Sequence, residues 1–416
     1  MNEAVRVMHF ADTHFGVETY GRLDPDTGMN SRLIDFRTSL NLAIEEALAR
    51  GVHLAVFAGD AYKARDPSQT HQREFASCIR KLTQAGVPVV MLTGNHDVPG
   101  VRGRAHAMEI WRTLAVEGVR VFAKPEVATV DTQAGPVQIA AMPYLIKSLA
   151  LAREDTQGLS AEEVRTRIEE RYAAYLRKLA NDVDPNLPTI LVAHLWAVGA
   201  KVNDWQQSYL TPTEPKVSVS LLANAQAFDY VALGHIHRFQ DLNPGRQPPV
   251  VYSGSPDRID FGEADEEKGF VIVDLAKGNT KYEFVPIANP RRLIDIRVKI
   301  LPEDADPTGT IVRALQRHPL AGNIVRLTLE VPEDCVGNIK ETQIREAGSP
   351  AFILLRRTEV QRKQALRMRF LSEAVDPLTA LQHYLERDGR SPERIQRLLE
   401  LAATLDAERR RKEELR

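Results

Sequence analysis

One local pattern recurs five times in the chain: an apolar run ends in one or two small residues, and a side chain able to bind a metal follows. The five segments are 10–14, 58–60, 93–97, 192–194 and 233–237. Each segment places its polar residues just past the carboxyl end of a predicted strand. In open α/β sheets ligands bind at that edge, so the pattern predicts an α/β fold with its site there.

The segments between these motifs support the same fold class. Apolar runs at 5–10, 54–58 and 87–92 alternate with helical stretches in which apolar residues recur every four positions, and this order favours parallel strand pairing. Ser160 and Glu163 form a capping-box pattern that predicts the start of a helix. Further strands are predicted at 137–142, 189–193, 230–233, 250–252, 269–274 and 282–287.

The pattern changes near residue 290, which predicts three regions. Residues 1–290 form the main domain. Residues 291–357 contain alternating strands at 294–300 and 325–331 and form a small α/β domain. Residues 358–416 comprise a linker and a helical hairpin that docks either on its own domain or, as we favour, on a partner. The apolar stripe of the last helix consists of Ile395, Leu398, Leu399, Ala402 and Leu405.

Composition narrows the class of protein. The 416 residues include 54 Lys and Arg against 56 Asp and Glu, a net charge of −2. This balance excludes a basic coat over the whole surface but allows a local basic groove. The two cysteines argue against a disulfide framework or a cysteine zinc site. We find no signal peptide and no apolar run long enough to span a membrane, and therefore expect a cytoplasmic protein.

The motif side chains are those of a metal centre without thiolates. Carboxylate, amide oxygen and imidazole favour Mn²⁺, with Fe or Zn as alternatives. Seven candidate ligands are too many for one ion, so we expect two divalent ions that share a carboxylate. Such a pair would attract an anionic phosphodiester and promote its hydrolysis. The candidate ligands are Asp12, His14, Asp60, Asn95, His194, His235 and His237.

Taken singly these signals are weak. An isolated Asp-X-His arises by chance, a Gly-Asp after a strand is usually a turn, and His194 alone could be a core histidine. Gly94-Asn95-His96-Asp97 is more specific because one tight turn carries an amide, an imidazole and a carboxylate. The order of all five segments is what makes a common metal site the preferred interpretation.

In this order the motifs resemble those of the calcineurin-like metallophosphoesterase superfamily, and within it the SbcD-type nucleases that repair DNA double-strand breaks. Residues 60–63, the helix that leads to 89–97 and the turn at 252–256 resemble this branch. The resemblance implies a sandwich of two sheets flanked by helices, a small α/β capping domain that binds DNA, and a helical hairpin that binds an ATPase.

The resemblance also implies a role for each motif residue. Asp12, His14 and His237 would bind one metal, and Asn95, His194 and His235 the other, with Asp60 as the bridge. His96 would act as an acid beside the scissile phosphate, and Asp97 would either orient its ring or cap the next helix. Lys63 departs from the His or Asp of some relatives. Candidate DNA-binding residues in loops near the motifs are Lys63, Arg65, Arg102, Arg104 and Arg258.

The activity implied by the resemblance is a Mn²⁺-dependent 3′-to-5′ exonuclease on duplex DNA and an endonuclease on single strands and hairpins. The implied partners are DNA, a second copy of the chain and an SbcC-type ABC ATPase. Two alternatives remain open: a metallophosphoesterase that acts on cyclic nucleotides or phosphoproteins, and a DNA-binding scaffold without activity. The intact set of ligands argues against the scaffold, and the long C-terminal region argues against a minimal phosphatase.

Overall fold

Two six-stranded sheets form the body of the structure, a computed structural model that describes residues 4–99, 103–146, 158–209, 214–361, 377–388 and 390–414. The strands are β1 (Val5–Phe10), β2 (Leu54–Phe57), β3 (Val89–Leu92), β4 (Val119–Phe122), β5 (Glu126–Thr132), β6 (Gly135–Met142), β7 (Thr189–His194), β8 (Trp196–Ala197), β9 (Lys216–Val217), β10 (Tyr230–Gly234), β11 (Gln240–Asp241), β12 (Val250–Tyr252), β13 (Gly269–Leu275), β14 (Lys281–Pro286), β15 (Leu293–Lys299), β16 (Ile324–Pro332) and β17 (Ile353–Gln361).

The helices lie between these strands and after the last of them. They are α1 (Ser31–Ala49), α2 (Gln69–Gln84), α3 (Glu109–Thr113), α4 (Ala161–Asp182), α5 (Asp204–Tyr209), α6 (Val219–Leu222), α7 (Pro307–Gln316), α8 (Glu341–Ala347), α9 (Pro377–Arg387) and α10 (Pro392–Glu414). Two 3₁₀ helices span Phe261–Glu263 and Glu333–Asn338. The predicted capping box of α4 is present, with Ser160 and Glu163 each accepting the other's backbone N–H.

Both large sheets are mixed. The first runs in the order β14-β13-β1-β2-β3-β4 and the second in the order β11-β12-β10-β7-β6-β5. The predicted parallel pairing holds for β1, β2 and β3. The strands predicted at 269–274 and 282–287 are also present, but β13 pairs antiparallel with both β1 and β14.

The sheets pack face to face, and helices cover their outer faces. Apolar side chains from both sheets form one buried cluster, to which Val7, Val56 and Val90 contribute from the first sheet and Ile139 and Val192 from the second. Helices α1 and α2 pack on the first sheet, and α4 packs on the second. The predicted two-sheet sandwich flanked by helices is therefore confirmed.

The chain divides into two compact units. The first contains Met1–Val298, Thr308–Thr328 and Lys340–Arg357. The second contains Lys299–Pro307, Leu329–Ile339 and Thr358–Arg416. Strands β15, β16 and β17 form a three-stranded sheet in that order. The domain boundaries at 290/291 and 357/358 remain predictions.

Within the second unit, α9 and α10 pack against each other as a hairpin and bury Leu385 and Ile395. Because glycine commonly ends a helix, we expect α9 to stop at Gly389, a residue outside the described part of the chain. In the described part of the chain, no helix combines the length and the apolar character that crossing a membrane requires.

Candidate metal centre

The carboxyl ends of five strands, where the polar residues of the sequence pattern lie, meet in the first unit. β1, β2 and β3 are adjacent and parallel to one another in one sheet, and β7 and β10 are adjacent and parallel in the other. Four of the predicted ligands have a positive φ, which non-glycine residues rarely adopt: Asp12 at 55°, His14 at 43°, Asp60 at 61° and His235 at 96°. Strained backbone of this kind concentrates at functional sites.

Two of the predicted ligands, His194 and His235, converge on the side chain of Asn95. The Oδ1 atom of Asn95 lies 3.0 Å from Nε2 of His194 and 3.0 Å from Nδ1 of His235. Oδ2 of Asp60 lies 3.3 Å from the same His194 nitrogen. The structure therefore brings together the residues predicted to hold one metal ion.

The tautomer of His194 shows that this group suits a cation. Nδ1 of His194 lies 2.7 Å from the Ala58 carbonyl oxygen, which can only accept a hydrogen bond, so Nδ1 carries a proton. In the neutral ring the lone pair of Nε2 then faces the oxygens of Asn95 and Asp60. Burial lowers the pKa of His194, but the Asp60 carboxylate outweighs it and raises the pKa to about 9. Without a metal ion, a proton on Nε2 can be donated to these oxygens. A divalent ion could replace that proton between the same atoms.

The second predicted group is also assembled. Asp12, His14 and His237 are buried, and each offers a ligand atom within 4.8 Å of the others. The Nε2 atoms of His14 and His237 are 3.1 Å apart. The backbone N–H of His235 donates to the Asp12 carboxylate at 3.0 Å. Burial raises the pKa of Asp12 to about 6.

Asp60 lies between the two groups, as a bridging ligand must. Its Oδ2 atom is 3.3 Å from Nε2 of His194 and 3.7 Å from Nε2 of His14. Its other oxygen accepts the backbone N–H of His96 at 2.9 Å. That hydrogen bond leaves Oδ2 available on the side where the histidines converge.

His96 lies at the edge of this cluster and is half-buried. Its Nδ1 atom is 2.7 Å from the carbonyl oxygen of Lys63. The carbonyl can only accept, so Nδ1 carries a proton, and any second proton on the ring must be on Nε2. The His96 ring meets the His14 ring edge to face, with centroids 5.0 Å apart.

Asp97 has contacts that differ from the ring-orienting role we considered for it. Its buried carboxylate accepts backbone N–H groups of Asp60 and Gly94 at 2.9 Å and of Ala61 at 3.0 Å. These bonds join the turn after β2 to the turn after β3. The Lys63 carbonyl, not Asp97, holds the His96 ring. The structure therefore places Asp97 as a link between the two turns that carry Asp60 and Asn95.

Two glycines permit the close approach of these turns. A Cβ on Gly94 would lie 2.1 Å from Oδ1 of Asp60, and one on Gly234 would lie 2.3 Å from the carbonyl oxygen of Ala58. Any side chain at either position would push the two strand ends apart. The glycines that precede Asn95 and His235 in the sequence pattern are thus required by the packing.

Sequence reasoning missed several residues around the ligands. Oε1 of Glu263 lies 2.8 Å from Nδ1 of His237. Burial raises the pKa of Glu263, but Lys268 and His237 outweigh it and lower the pKa to about 2. The Tyr144 hydroxyl donates to Glu214, whose carboxylate is 3.7 Å from Nε2 of His235. These residues belong to no recognisable motif, so no sequence signal identified them.

The candidate DNA-binding residues have varied surroundings. Lys63 and Arg65 are exposed, and Arg65 donates to the Asn95 carbonyl at 3.5 Å. Arg104 is exposed and pairs with Asp66. The guanidinium of Arg258 is largely occupied by hydrogen bonds to two backbone carbonyls and to an asparagine side chain. Arg102 lies outside the described residues.

The predicted partner-binding stripe on α10 is only partly open to solvent. Ile395 is buried in the hairpin, and Leu399 and Ala402 are half-buried. Leu398 and Leu405 are exposed at 39% and 60%. Leu401, which the predicted stripe omitted, is 58% exposed on the same helix.

The fold and the paired ligand groups define a class of protein, and a family comparison agrees. The model of the calcineurin-like phosphoesterase family matches residues 5–239, more than half of the chain. The chain belongs to this family, as the motifs predicted, and is a metal-dependent phosphoester hydrolase by class.

A curated relative is the SbcD polypeptide of the nuclease SbcCD from Staphylococcus epidermidis. It is 24% identical over 291 residues, which cover 70% of this chain and 71% of that protein.

Solved structures similar to this chain are more distant. A dimetal phosphatase from Danio rerio shares 11% identity at a TM-score of 0.38 and covers 68% of this chain and 100% of its own. A phosphopantetheinyl hydrolase from Mycobacterium tuberculosis shares 15% identity at a TM-score of 0.33 and covers 62% of this chain and 92% of its own.

Proposed function

We propose that the chain is a DNA nuclease that depends on two metal ions. It would degrade duplex DNA from 3′ to 5′ and cut single strands and hairpins, as the nuclease component of an SbcCD-type complex in DNA repair and recombination. One observation carries the proposal: seven buried or half-buried side chains of ligand type converge at one edge of the two sheets, with Asp60 between two groups. The similarity to the SbcD polypeptide of a nuclease supports DNA as the substrate.

The residues that would hold the ions are those of the two groups. Asp12, His14 and His237 would hold one and Asn95, His194 and His235 the other, with Asp60 shared. We propose Mn²⁺ because the donors are carboxylate, amide oxygen and imidazole. When bound, two such ions supply an activated water and stabilise charge on the oxygens of the phosphodiester.

The chain's own residues would orient the substrate and move a proton. His96 is fixed through Nδ1 by the Lys63 carbonyl, so a proton on Nε2 could be donated to a phosphate or leaving oxygen. Asp97 would hold the turns that carry Asp60 and Asn95 in a fixed position relative to each other. Lys63 and Arg65, both exposed beside this edge, would contact the DNA backbone.

The proposed partners are a second copy of the chain and an SbcC-type ABC ATPase. The exposed leucines of α10 are the surface we propose for the ATPase, because apolar residues on an exposed helix face suit a groove or coiled-coil partner.

Digestion of end-labelled DNA tests the proposal. Duplex and hairpin DNA would be incubated with the purified chain and Mn²⁺, then with chelator, and Asp60→Asn would serve as the inactive control. We expect Mn²⁺-dependent products from the wild-type chain alone. If all DNA substrates stay intact while a cyclic nucleotide or a phosphoprotein is hydrolysed, the proposed substrate is wrong.

A further inference from the structure

A buried carboxylate sits against one of the proposed metal ligands. Oε1 of Glu263, at the end of the 3₁₀ helix Phe261–Glu263, lies 2.8 Å from Nδ1 of His237, and the Glu263 side chain is fully buried. An ionised carboxylate can only accept, so Nδ1 of His237 carries the proton. The lone pair of the neutral ring is then on Nε2, which lies 3.1 Å from Nε2 of His14.

Lys268 holds this carboxylate in place. Its buried Nζ atom lies 2.9 Å from Oε2 of Glu263 and donates to the carbonyl oxygen of His237 at 3.0 Å. The backbone N–H of Ile259 donates to the same Glu263 oxygen at 3.0 Å. The ion pair thus contacts His237 twice, through the ring and through the backbone.

Burying an ion pair requires the desolvation of both charges, and apolar residues of similar volume often stabilise a fold as well or better. Here both charged groups contact one residue, His237. Lys268 offsets the charge of Glu263 next to the ring, and it also contacts Glu266 at 2.9 Å.

In the other group, neither His194 nor His235 has such a carboxylate hydrogen-bonded to its ring away from the ligands, as far as the described residues show. His194 donates from Nδ1 to the neutral carbonyl of Ala58. Nε2 of His235 is buried and has no hydrogen bond among the described residues, and the Glu214 carboxylate is 3.7 Å away. A carboxylate partner makes an imidazole a more basic and better oriented ligand, so the two metal positions are unequal.

We infer that Glu263, fixed by Lys268, is a positioning residue for His237 and makes the position of Asp12, His14 and His237 bind metal more tightly than it otherwise would. This inference rests on the proposed two-metal function. It concerns the affinity of one position only, because Glu263 contacts His237 and neither His194 nor His235 among the contacts described.

Titration with Mn²⁺, followed by electron paramagnetic resonance of the free ion, tests the inference on the full chain. In Glu263→Gln we expect one of two sites to weaken about 10- to 100-fold, as loss of such a partner usually does, and the other to change less than about twofold. The matched control is Glu266→Gln, because Glu266 also contacts Lys268 at 2.9 Å but does not contact His237. It should leave both affinities unchanged.

A second measurement does not depend on how well the variant folds. In wild-type chain with ¹⁵N-labelled histidine and Zn²⁺, which is diamagnetic, the His237 signals should show a protonated Nδ1 and a metal-bound Nε2. The opposite tautomer would overturn the inference. So would a folded Glu263→Gln variant with unchanged Mn²⁺ affinities, or one with both sites weakened equally. A wild-type chain that binds no metal would instead refute the proposed metal centre itself.

Discussion

The metal centre is assembled from residues that meet only in the folded chain. Asn95 and His194 are 99 positions apart, yet their side chains are 3.0 Å apart. All seven predicted ligands could be recognised in the sequence because each lies in one of five short segments that follow an apolar strand and a small residue. Glu263, Tyr144 and Glu214 could not, since an isolated acidic or aromatic residue has no pattern that marks its partner.

Loss of Asp60 should empty both metal positions. Its carboxylate approaches His194 and His14 from between the two groups, so we expect Asp60→Ala to retain almost no metal. His194→Ala should lose mainly one equivalent. The measurement is metal per chain by elemental analysis after gel filtration. Asp66→Ala, which removes an exposed carboxylate paired with Arg104, is the control. Two equivalents in Asp60→Ala would contradict the bridging role.

His96 should affect the rate of reaction and not the binding of metal. A positioned acid contributes about 10²–10⁴ in rate, so His96→Asn should lower kcat by at least about a hundredfold in single-strand cleavage. Metal content and the Kd for DNA should stay close to wild type, because neither a predicted ligand nor a cation is removed. His318→Asn, at an exposed histidine, is the control. Loss of metal in His96→Asn would make His96 a ligand or a structural residue.

At the scale of elements, the sequence predicted most of the longer strands of the two large sheets, including the partly exposed β14. The predicted runs at 5–10 and 250–252 coincide with β1 and β12. Strands β4 and β5 were missed because their burial is partial and polar residues interrupt them. The antiparallel pairing of β13 could not be predicted either, since it depends on which sheet edge the returning chain reaches.

The contact between the turns after β2 and β3 predicts that Gly94 cannot be replaced. A Cβ at this position would lie 2.1 Å from Oδ1 and 2.6 Å from the backbone nitrogen of Asp60. Gly94→Ala should therefore displace Asp60, lower metal content and lower Tm. Gly337→Ala is the matched control, because its Cβ would meet nothing within 4 Å. Metal content by elemental analysis and Tm by calorimetry would be compared, and a Gly94→Ala variant that binds metal normally would contradict the prediction.

At the scale of the whole molecule, the overall charge is nearly neutral, so each proposed partner has to be bound by a limited region of the surface. With a net charge of −2, the proposed affinity for DNA would depend on a few exposed cations near the candidate metal centre. Arg258 is a poor candidate among these, because its guanidinium is engaged with backbone carbonyls. The hairpin of the second unit is the other surface for which we propose a partner, and its exposed leucines make that proposal testable.

Glutamate at Leu398 and Leu405 should weaken the ATPase complex without unfolding the hairpin. Both leucines are exposed in the chain alone, so replacing them costs the hairpin little. Burial against a partner is worth about 1.5–3 kcal/mol per leucine, which corresponds to roughly tenfold or more in Kd for each. Titration calorimetry with the SbcC-type ATPase of the same organism would measure this loss.

Gln396→Glu is the matched control for these variants, because it adds the same charge at an exposed position that lines the groove between α9 and α10. It should bind the ATPase nearly as well as wild type. Mn²⁺-dependent cleavage of single strands should be equal in the wild type and in all three variants, since the predicted ligands lie in the first unit. An unchanged Kd for both leucine variants would show that another surface of the chain binds the ATPase.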